Sequence, residues 1–451
     1  MLPELLGEFN LSGLLSNLGP KLRRALKHVA VRNALFLYGV QISGYVFPIV
    51  TLAYLSRVLS PEKIGLIGFS TSFVLYFNTI TEYGFNLTAT RRIAIAKEDP
   101  EKINHIFNAV MIAKAILMVG GFVAMIVVVM ATPRLRANWP LFPLGFLTVI
   151  GGWLFPMWLY QGMERMGQVA ARDFISKLLA TVFALLLVRH ESDYLLAVGI
   201  QGGAALVAGA ISLAMAPRVC GVRFRLLPWR EVAEALREGW PVFVSMAALT
   251  LTGSTNIVIL GFVTPASEVA YYVNASRLVM AARMLVSPIV SALYPHISHM
   301  ASKSANDAVS FLRKYAFVLA SPFLVISLVM FIAAPLIVHL LFGHRYEASI
   351  PVLRIMAFSP FLLALSQTYS TYYMLAFGYQ KEWSRVVLLS AVLNYVLMAC
   401  LLWAMRPIHA MATIGTILDV FSFVACYYFY RRNTSKTHGA AQVPASSVPT
   451  S

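Results

Sequence analysis

The chain has 451 residues, of which 59% are hydrophobic and only 12% charged, with a mean hydropathy of +0.72. Soluble domains carry about 25% charged residues, so this composition excludes a soluble globular protein and leaves little chain for a catalytic domain outside a membrane. The net charge of +17 raises the question of nucleic acid, but membrane topology accounts for it without such a partner, because Lys and Arg collect in cytoplasmic loops.

Residues 1–32 carry a rough apolar stripe that includes Leu5, Phe9, Leu15, Leu18 and Leu22. It reads as an amphipathic helix on the cytoplasmic face of a membrane. It is not a cleavable signal, since the basic residues follow the apolar ones. Apolar runs then succeed one another, each about the 20 residues that a bilayer-crossing helix needs. The first six are Asn33–Leu55, Ile64–Phe85, Ala109–Ala131, Trp139–Tyr160, Phe174–Val188 and Tyr194–Ala216, an N-lobe over residues 33–216. A basic cytoplasmic linker, 217–239, follows. The next six are Trp240–Val263, Ala270–Tyr294, Tyr315–Phe342, Val352–Phe377, Val386–Met405 and Ile408–Phe429, a C-lobe over 240–430. Residues 431–451, rich in Ser, Pro, Thr and Ala, read as a disordered cytoplasmic tail. Such continuous apolar runs fit helices and not barrel strands. The expected fold is an all-α polytopic membrane protein, with about twelve transmembrane helices in two six-helix lobes around a central cavity.

Basic residues collect in alternate connections: Lys21 to Arg32 before the first run, Arg91 to Lys102 after the second, and Arg218 to Arg237 after the sixth. The other side of the ladder holds few, among them Arg57, Arg134 and Arg189. Both termini are therefore expected in the cytoplasm. A faint echo links the halves, SPEKIGLIGF from Ser60 with TPASEVAYYV from Thr264. Parallel repeats of this kind occur in transporters, with the substrate site where the repeats meet. Cys220, Cys400 and Cys426 form no disulfide or metal pattern.

Charges inside the runs are the informative residues, because a charged side chain at bilayer depth is normally paired or faces water. Arg277 and Arg283 fall in the eighth run, with Asn274 three residues before Arg277 on the same side of a helix. In the second run Asn78, Glu82 and Asn86 recur at intervals of four. Glu82 is placed either to bind a proton or a coupling cation such as sodium, or to pair with a basic residue of a neighbouring helix. Gln41 and Tyr45 in the first run, and Ser245, Thr252 and Asn256 in the seventh, give comparable polar stripes. Taken singly such stripes glue helices together; their agreement across the two halves favours a cavity. Lys114, Lys177 and Arg354 read as snorkelling side chains, and Asp419 has no obvious partner. His296 and His299, three apart without a nearby acid, make a poor metal pair. Neither G-x-x-x-x-G-K-[ST] nor H-E-x-x-H is present, and no long outer loop carries paired carboxylates. No enzyme, catalytic residue, metal or cofactor is expected.

Four stretches, YLSRVLSPEKIGLIGFS (Tyr54–Ser70), TEYGFNLTATRRIA (Thr81–Ala94), LFPMWLYQGMERM (Leu154–Met166) and LLFGHRYEASIPVLRIMAFSP (Leu340–Pro360), resemble the bacterial polysaccharide flippases of the Wzx type. These belong to the superfamily of multidrug extruders and the peptidoglycan lipid flippase. The resemblance, over roughly Asn33 to Tyr430, implies two lobes around a cationic cavity. It implies alternating access that moves undecaprenyl-pyrophosphate-linked oligosaccharide across the bacterial inner membrane for O-antigen, capsule or exopolysaccharide synthesis. A polymerase and a chain-length regulator of the same pathway would be partners, with membrane lipids and without nucleic acid. Arg57, Glu82 with Asn86, and Arg277 match the family's pattern. Guanidinium groups suit a pyrophosphate, and Gln41, Tyr45, Asn78, Asn256 and Asn274 suit sugar hydroxyls. The alternative is a multidrug or cation-coupled exporter of the same fold. Buried basic residues outnumber buried acids, which favours the anionic substrate.

Overall fold

The computed structural model describes residue 44 and residues 46–440, without the side chains of 166, 168–172, 249, 252, 292 and 435–440. The expected N-terminal amphipathic helix, Gln41, Tyr45 and the end of the tail lie outside the described residues. Every regular element among the described residues is helical. Nine of the helices are long and apolar enough to cross a bilayer, or ten with Trp229–Val263, which is bent by 55°. Val46–Val58 overlaps the end of the first predicted run, whose earlier part, apart from residue 44, lies outside the described residues, and Met166–Leu187 covers the fifth from eight residues before its predicted start. The protein is an all-helical multi-pass membrane protein.

The described chain divides into two compact units, 44–273 with Leu340–Tyr346, and 274–339 with 347–440. The first unit contains α1 (Val46–Val58), α2 (Pro61–Glu82), α3 (Phe85–Ile95), α4 (Pro100–Ala131), α5 (Leu141–Trp153), α6 (Met157–Gly162), α7 (Met166–Leu187), α8 (Tyr194–Cys220) and α9 (Trp229–Val263). α10 (Ala266–Met284) begins here and crosses the division at Val273. The sequence places the division in the 217–239 linker, whereas the contacts place it inside α10. Polar side chains explain why α9 stays with the first unit: Tyr76 on α2 bonds Thr255 at 3.0 Å, and Thr79 bonds Thr250 at 3.0 Å. Such hydroxyl pairs hold helices together in lipid, where apolar surfaces alone give no preference between helix and lipid. The linker itself is the end of α8, an extended strap, and the first turns of α9.

Close backbone approach seats the start of α10. A Cβ added at Gly65 on α2 would lie 1.6 Å from the Ala266 carbonyl oxygen. Neither group is a flexible side-chain end, so the helices must part to admit it. Gly65→Ala is expected to cost 3 kcal/mol or more, about the upper end of overpacking penalties. Gly120→Ala, with nothing within 4 Å, is the matched control. The thermal stability of the two purified variants checks this, and equal stability would contradict the packing.

α4 starts sharply. Asp99 accepts the Lys102 backbone N–H at 3.1 Å and pairs with the Lys102 ammonium at 3.0 Å, with Pro100 as the first helical residue. The side-chain bond from Lys102 holds the Asp99 carboxyl below its usual range.

The second unit contains the rest of α10, α11 (Val286–Lys303), α12 (Ala305–Ile332), α13 (Ala334–Leu341, whose last two residues belong to the first unit), α14 (Ser349–Met356), α15 (Ser359–Tyr369), α16 (Gln380–Ala404) and α17 (Pro407–Ala440). The eighth predicted run is broken at Leu285, between α10 and α11. The tenth is α14, α15 and a π-helical turn, Ser370–Leu375. Tyr369, Tyr373, Tyr379, Phe429 and Tyr430 stack around that turn as an aromatic core. α17 runs on to Ala440, past the end of the last predicted span.

Candidate functional site

Residues Glu82-Tyr83-Gly84-Phe85-Asn86 end α2 and begin α3. Tyr83 and Gly84 both take positive φ, 48° and 77°. Glycine is required at the second position twice over: a Cβ there would also sit 2.6 Å from Val242 Cγ1. The break leaves Glu82 as the last residue of α2 and swings Asn86 back over it. The Asn86 amide donates to Glu82 Oε2 at 3.0 Å, and the Lys114 ammonium on α4 donates to Glu82 Oε1 at 3.0 Å. Glu82 is thus held on both oxygens.

Lys114 is fully buried, 0% exposed, while Glu82 remains 23% exposed. The reading of Lys114 as a snorkelling side chain is therefore corrected. Its ammonium is turned inward onto Glu82 of α2, with no exposed surface left to reach head groups or water, and α4 itself begins at Pro100, nine residues before the predicted run. Of the two readings of Glu82, the observed one is pairing.

Glu82 opens onto a cavity of about 490 Å³ inside the first unit. Asn78 and Asn86 line it with Glu82, so the stripe spaced by four residues faces one space. Thr71 on α2, Thr148 and Gly152 on α5, Asp173 on α7 and Gln201 on α8 complete its polar wall. A Cβ at Gly152 would come within 3.4 Å of Asn78 Oδ1 and 3.6 Å of Glu82 Oε1, so the glycine keeps the acid accessible. Asp173, Thr148 and Gln201 were not singled out from sequence, because nothing in one chain marks them as facing α2.

The other expected site residues are dispersed. Asn256 is buried on α9, at 8% exposure, next to the Thr255–Tyr76 bond. Ser245 bonds back to Pro241 of its own helix. Arg57 at the end of α1 is exposed and donates to the Leu340 carbonyl. On α10, Asn274 is fully buried and Arg277 exposed. No salt bridge engages Arg277 among the described residues of its unit.

Arg283, at the end of α10, is anchored in the second unit. Its Nη1 donates to Asp419 Oδ2 at 2.8 Å, Asp419 Oδ1 at 3.0 Å and Ser359 Oγ at 2.5 Å, and Ser359 in turn donates to Asp419. Asp419 on α17, which had no obvious partner in sequence, is thus half of an ion pair with exposures of 34% for Arg283 and 13% for Asp419. His296 packs edge-on against Phe311, ring centroids 6.3 Å apart.

Chemically, the first unit offers a cavity of about 490 Å³ with a neutralised acid and amide and hydroxyl groups. The second offers two guanidinium groups of different kind, Arg277 without a salt bridge and Arg283 fixed by an acid.

Comparison with known proteins sets these features in context. Residues 30–301 match the family described as polysaccharide biosynthesis protein. Two relatives carry the name "Putative O-antigen transporter". The one from Escherichia coli (strain K12) is 31% identical over 85% of this chain and 92% of its own length. The one from Shigella dysenteriae is 28% identical over 86% and 96%. Among solved structures, the chain is similar to an inward-facing multidrug resistance MATE family transporter of the MOP superfamily, with TM-score 0.69, 15% identity and coverage of 89% and 96%. It is also similar to the lipid II flippase MurJ in an inward closed conformation, with TM-score 0.64, 13% identity and coverage of 88% and 87%. At these identities the two structures speak for the fold.

Proposed function

The chain belongs to the polysaccharide biosynthesis protein family, and from that premise we propose that it is a flippase for undecaprenyl-pyrophosphate-linked oligosaccharide. It carries the head group from the cytoplasmic to the periplasmic leaflet of the bacterial inner membrane by alternating access, both termini being cytoplasmic. It acts as a transporter and not as an enzyme. The repeat unit it delivers serves O-antigen, capsule or exopolysaccharide synthesis, where a polymerase and chain-length regulator take it up.

The observation that carries this reading is the extent of the likeness: 92% of the length of a relative named as an O-antigen transporter is covered at 31% identity. The charges support it. A pyrophosphate needs guanidinium donors, and Arg277 is exposed with no carboxylate paired to it in its unit. A cation exporter would need an acid free to receive its substrate, yet Glu82 is already bound to Lys114. If transport is coupled to protons or sodium ions, Glu82 and Asp173 are the carboxylates that the cavity reaches, and Glu82 would have to exchange Lys114 for the ion.

The test is the leaflet position of the lipid-linked oligosaccharide in spheroplasts, read with a membrane-impermeant glycosidase. Loss of the protein is expected to leave glycan that the glycosidase cannot reach. Glycan that stays accessible would refute the flippase reading. Arg277→Ala is expected to lower export tenfold or more, about the worth of one charge-assisted hydrogen bond, with normal amounts of protein in the membrane. Unchanged surface polysaccharide would remove Arg277 from the site.

A further inference from the structure

We propose that the strap between α8 and α9, Val222 to Pro228, together with Trp229 and Arg230 at the start of α9, is a docking surface for anionic phospholipid head groups, held at the depth of the bilayer interface by Asn104 and Asn108.

The clasp is built from side chain to backbone. The Arg223 N–H donates to Asn104 Oδ1 at 2.6 Å. Asn108 donates from Nδ2 to the Arg223 carbonyl at 2.8 Å and accepts the Arg225 N–H on Oδ1 at 2.8 Å. Asn108 is only 3% exposed. One asparagine side chain thus stands in for a neighbouring strand, and the strap is fixed in extended form along the first turns of α4. Val222 is buried beneath it, and the Phe224 ring lies 5.2 Å from that of Phe107.

Depth follows from α4. Its 32 residues span about 48 Å at 1.5 Å per residue, longer than the roughly 30 Å hydrocarbon layer. The polar residues Glu101, Lys102, Asn104, His105 and Asn108 all fall at its start, before the apolar stretch. The clasp therefore sits at the head-group boundary.

The strap presents charge and apolar surface together. From Pro217 to Arg230 there are four arginines, Arg218, Arg223, Arg225 and Arg230, and no acid. None of the four has a salt bridge among the described residues. Of the three acids just beyond, Glu231 binds His105 at 2.6 Å and Glu238 binds Arg92 at 2.8 Å, while Glu234 is exposed on α9, outside the strap. Between the arginines Leu226 is 94% exposed and Trp229 62% exposed. A soluble anion would complement the arginines and leave Leu226 and Trp229 in water. An anionic bilayer surface accommodates both, since basic residues are drawn to acidic lipid and tryptophan prefers the interface.

The full-length protein, reconstituted into phosphatidylcholine vesicles, tests this with brominated lipids as quenchers of tryptophan fluorescence. The Trp229 signal is the difference between the wild-type protein and Trp229→Phe. Brominated phosphatidylglycerol is expected to quench it about twofold more than the same fraction of brominated phosphatidylcholine, with the excess lost in molar salt. The excess should also disappear in R223Q/R225Q/R230Q, and Asn108→Leu, which frees the strap, should reduce it. Equal quenching by the two lipids would overturn the proposal. Absence of quenching by either would also overturn it, as expected if water or another protein covers the strap. The comparison needs only the wild-type protein and the conservative Trp229→Phe variant, so it decides the matter even if the arginine or Asn108 variants fail to insert.

Discussion

Glu82→Leu is expected to destabilise the protein by about 3–5 kcal/mol, and Lys114→Met by at least about 1 kcal/mol less, although the two residues are partners in one ion pair. The asymmetry comes from their surroundings. Removing the acid strands a cation that is 0% exposed, and neither cavity nor surface water can solvate it. Removing the lysine leaves a carboxylate that is 23% exposed, faces the 490 Å³ cavity and keeps its bond from Asn86. The double variant E82L/K114M should return to within about 1 kcal/mol of the wild type, because replacing both members of a buried pair by apolar residues is often neutral. Thermal unfolding of the four proteins in nanodiscs provides the measurement. Equal loss in the two single variants would contradict the burial argument, and a double variant as unstable as E82L would contradict the pairing. The double variant also separates two roles of Glu82. If it is folded but exports no polysaccharide, the acid is needed for transport and not only for packing.

The same pair shows how far one sequence can be read. The runs of apolar residues lie along the chain, so the helices, their order and the membrane class were accessible from hydropathy alone. The stripe Asn78, Glu82 and Asn86 was accessible too, because its spacing is that of one helix face. Lys114 was not. Its partner is 32 positions away on a different helix, and its burial depends on how α4 packs against α2, which no local pattern announces. Asp419 meets Arg283 across 136 positions, a distance at which periodicity carries no information. The asparagine clasp is concealed for another reason: Asn104 and Asn108 look like the polar start of a helix, and only tertiary packing turns them toward the strap. The division of the chain inside α10 follows similarly from contacts at Gly65 and between α2 and α9, none of which a composition shift announces. Local order was thus legible, and the pairing of distant polar groups required the fold.

The charge swap R283D/D419R is expected to retain near-normal stability and membrane levels and to lose export by tenfold or more. The stability half rests on geometry. Arg283 and Asp419 are 34% and 13% exposed, so their attraction is partly screened, and Ser359 between them can donate to either oxygen or accept from either guanidinium nitrogen. The reversed pair can therefore tie α10, α15 and α17 much as the native one does. The export half rests on the free edge of the guanidinium. Nη1 makes all three of the bonds to Ser359 and Asp419, which leaves Nε and Nη2 without a bond among the described residues. An arginine held in this way has its orientation set by the acid behind it, and its planar fork is prepared for a phosphate in front. Swapping the charges moves the cation to α17 and turns an acid toward the space that Arg283 faced. One charge-assisted bond to a phosphate contributes about 1.5–3 kcal/mol, hence the tenfold or greater loss. Asp419→Asn should give an intermediate result, since Arg283 keeps its charge and loses only part of its orientation. Surface polysaccharide, normalised to protein in the membrane, reads both variants. Full export by the swapped protein would make the pair a strut between helices and would leave Arg277 as the guanidinium available to the pyrophosphate.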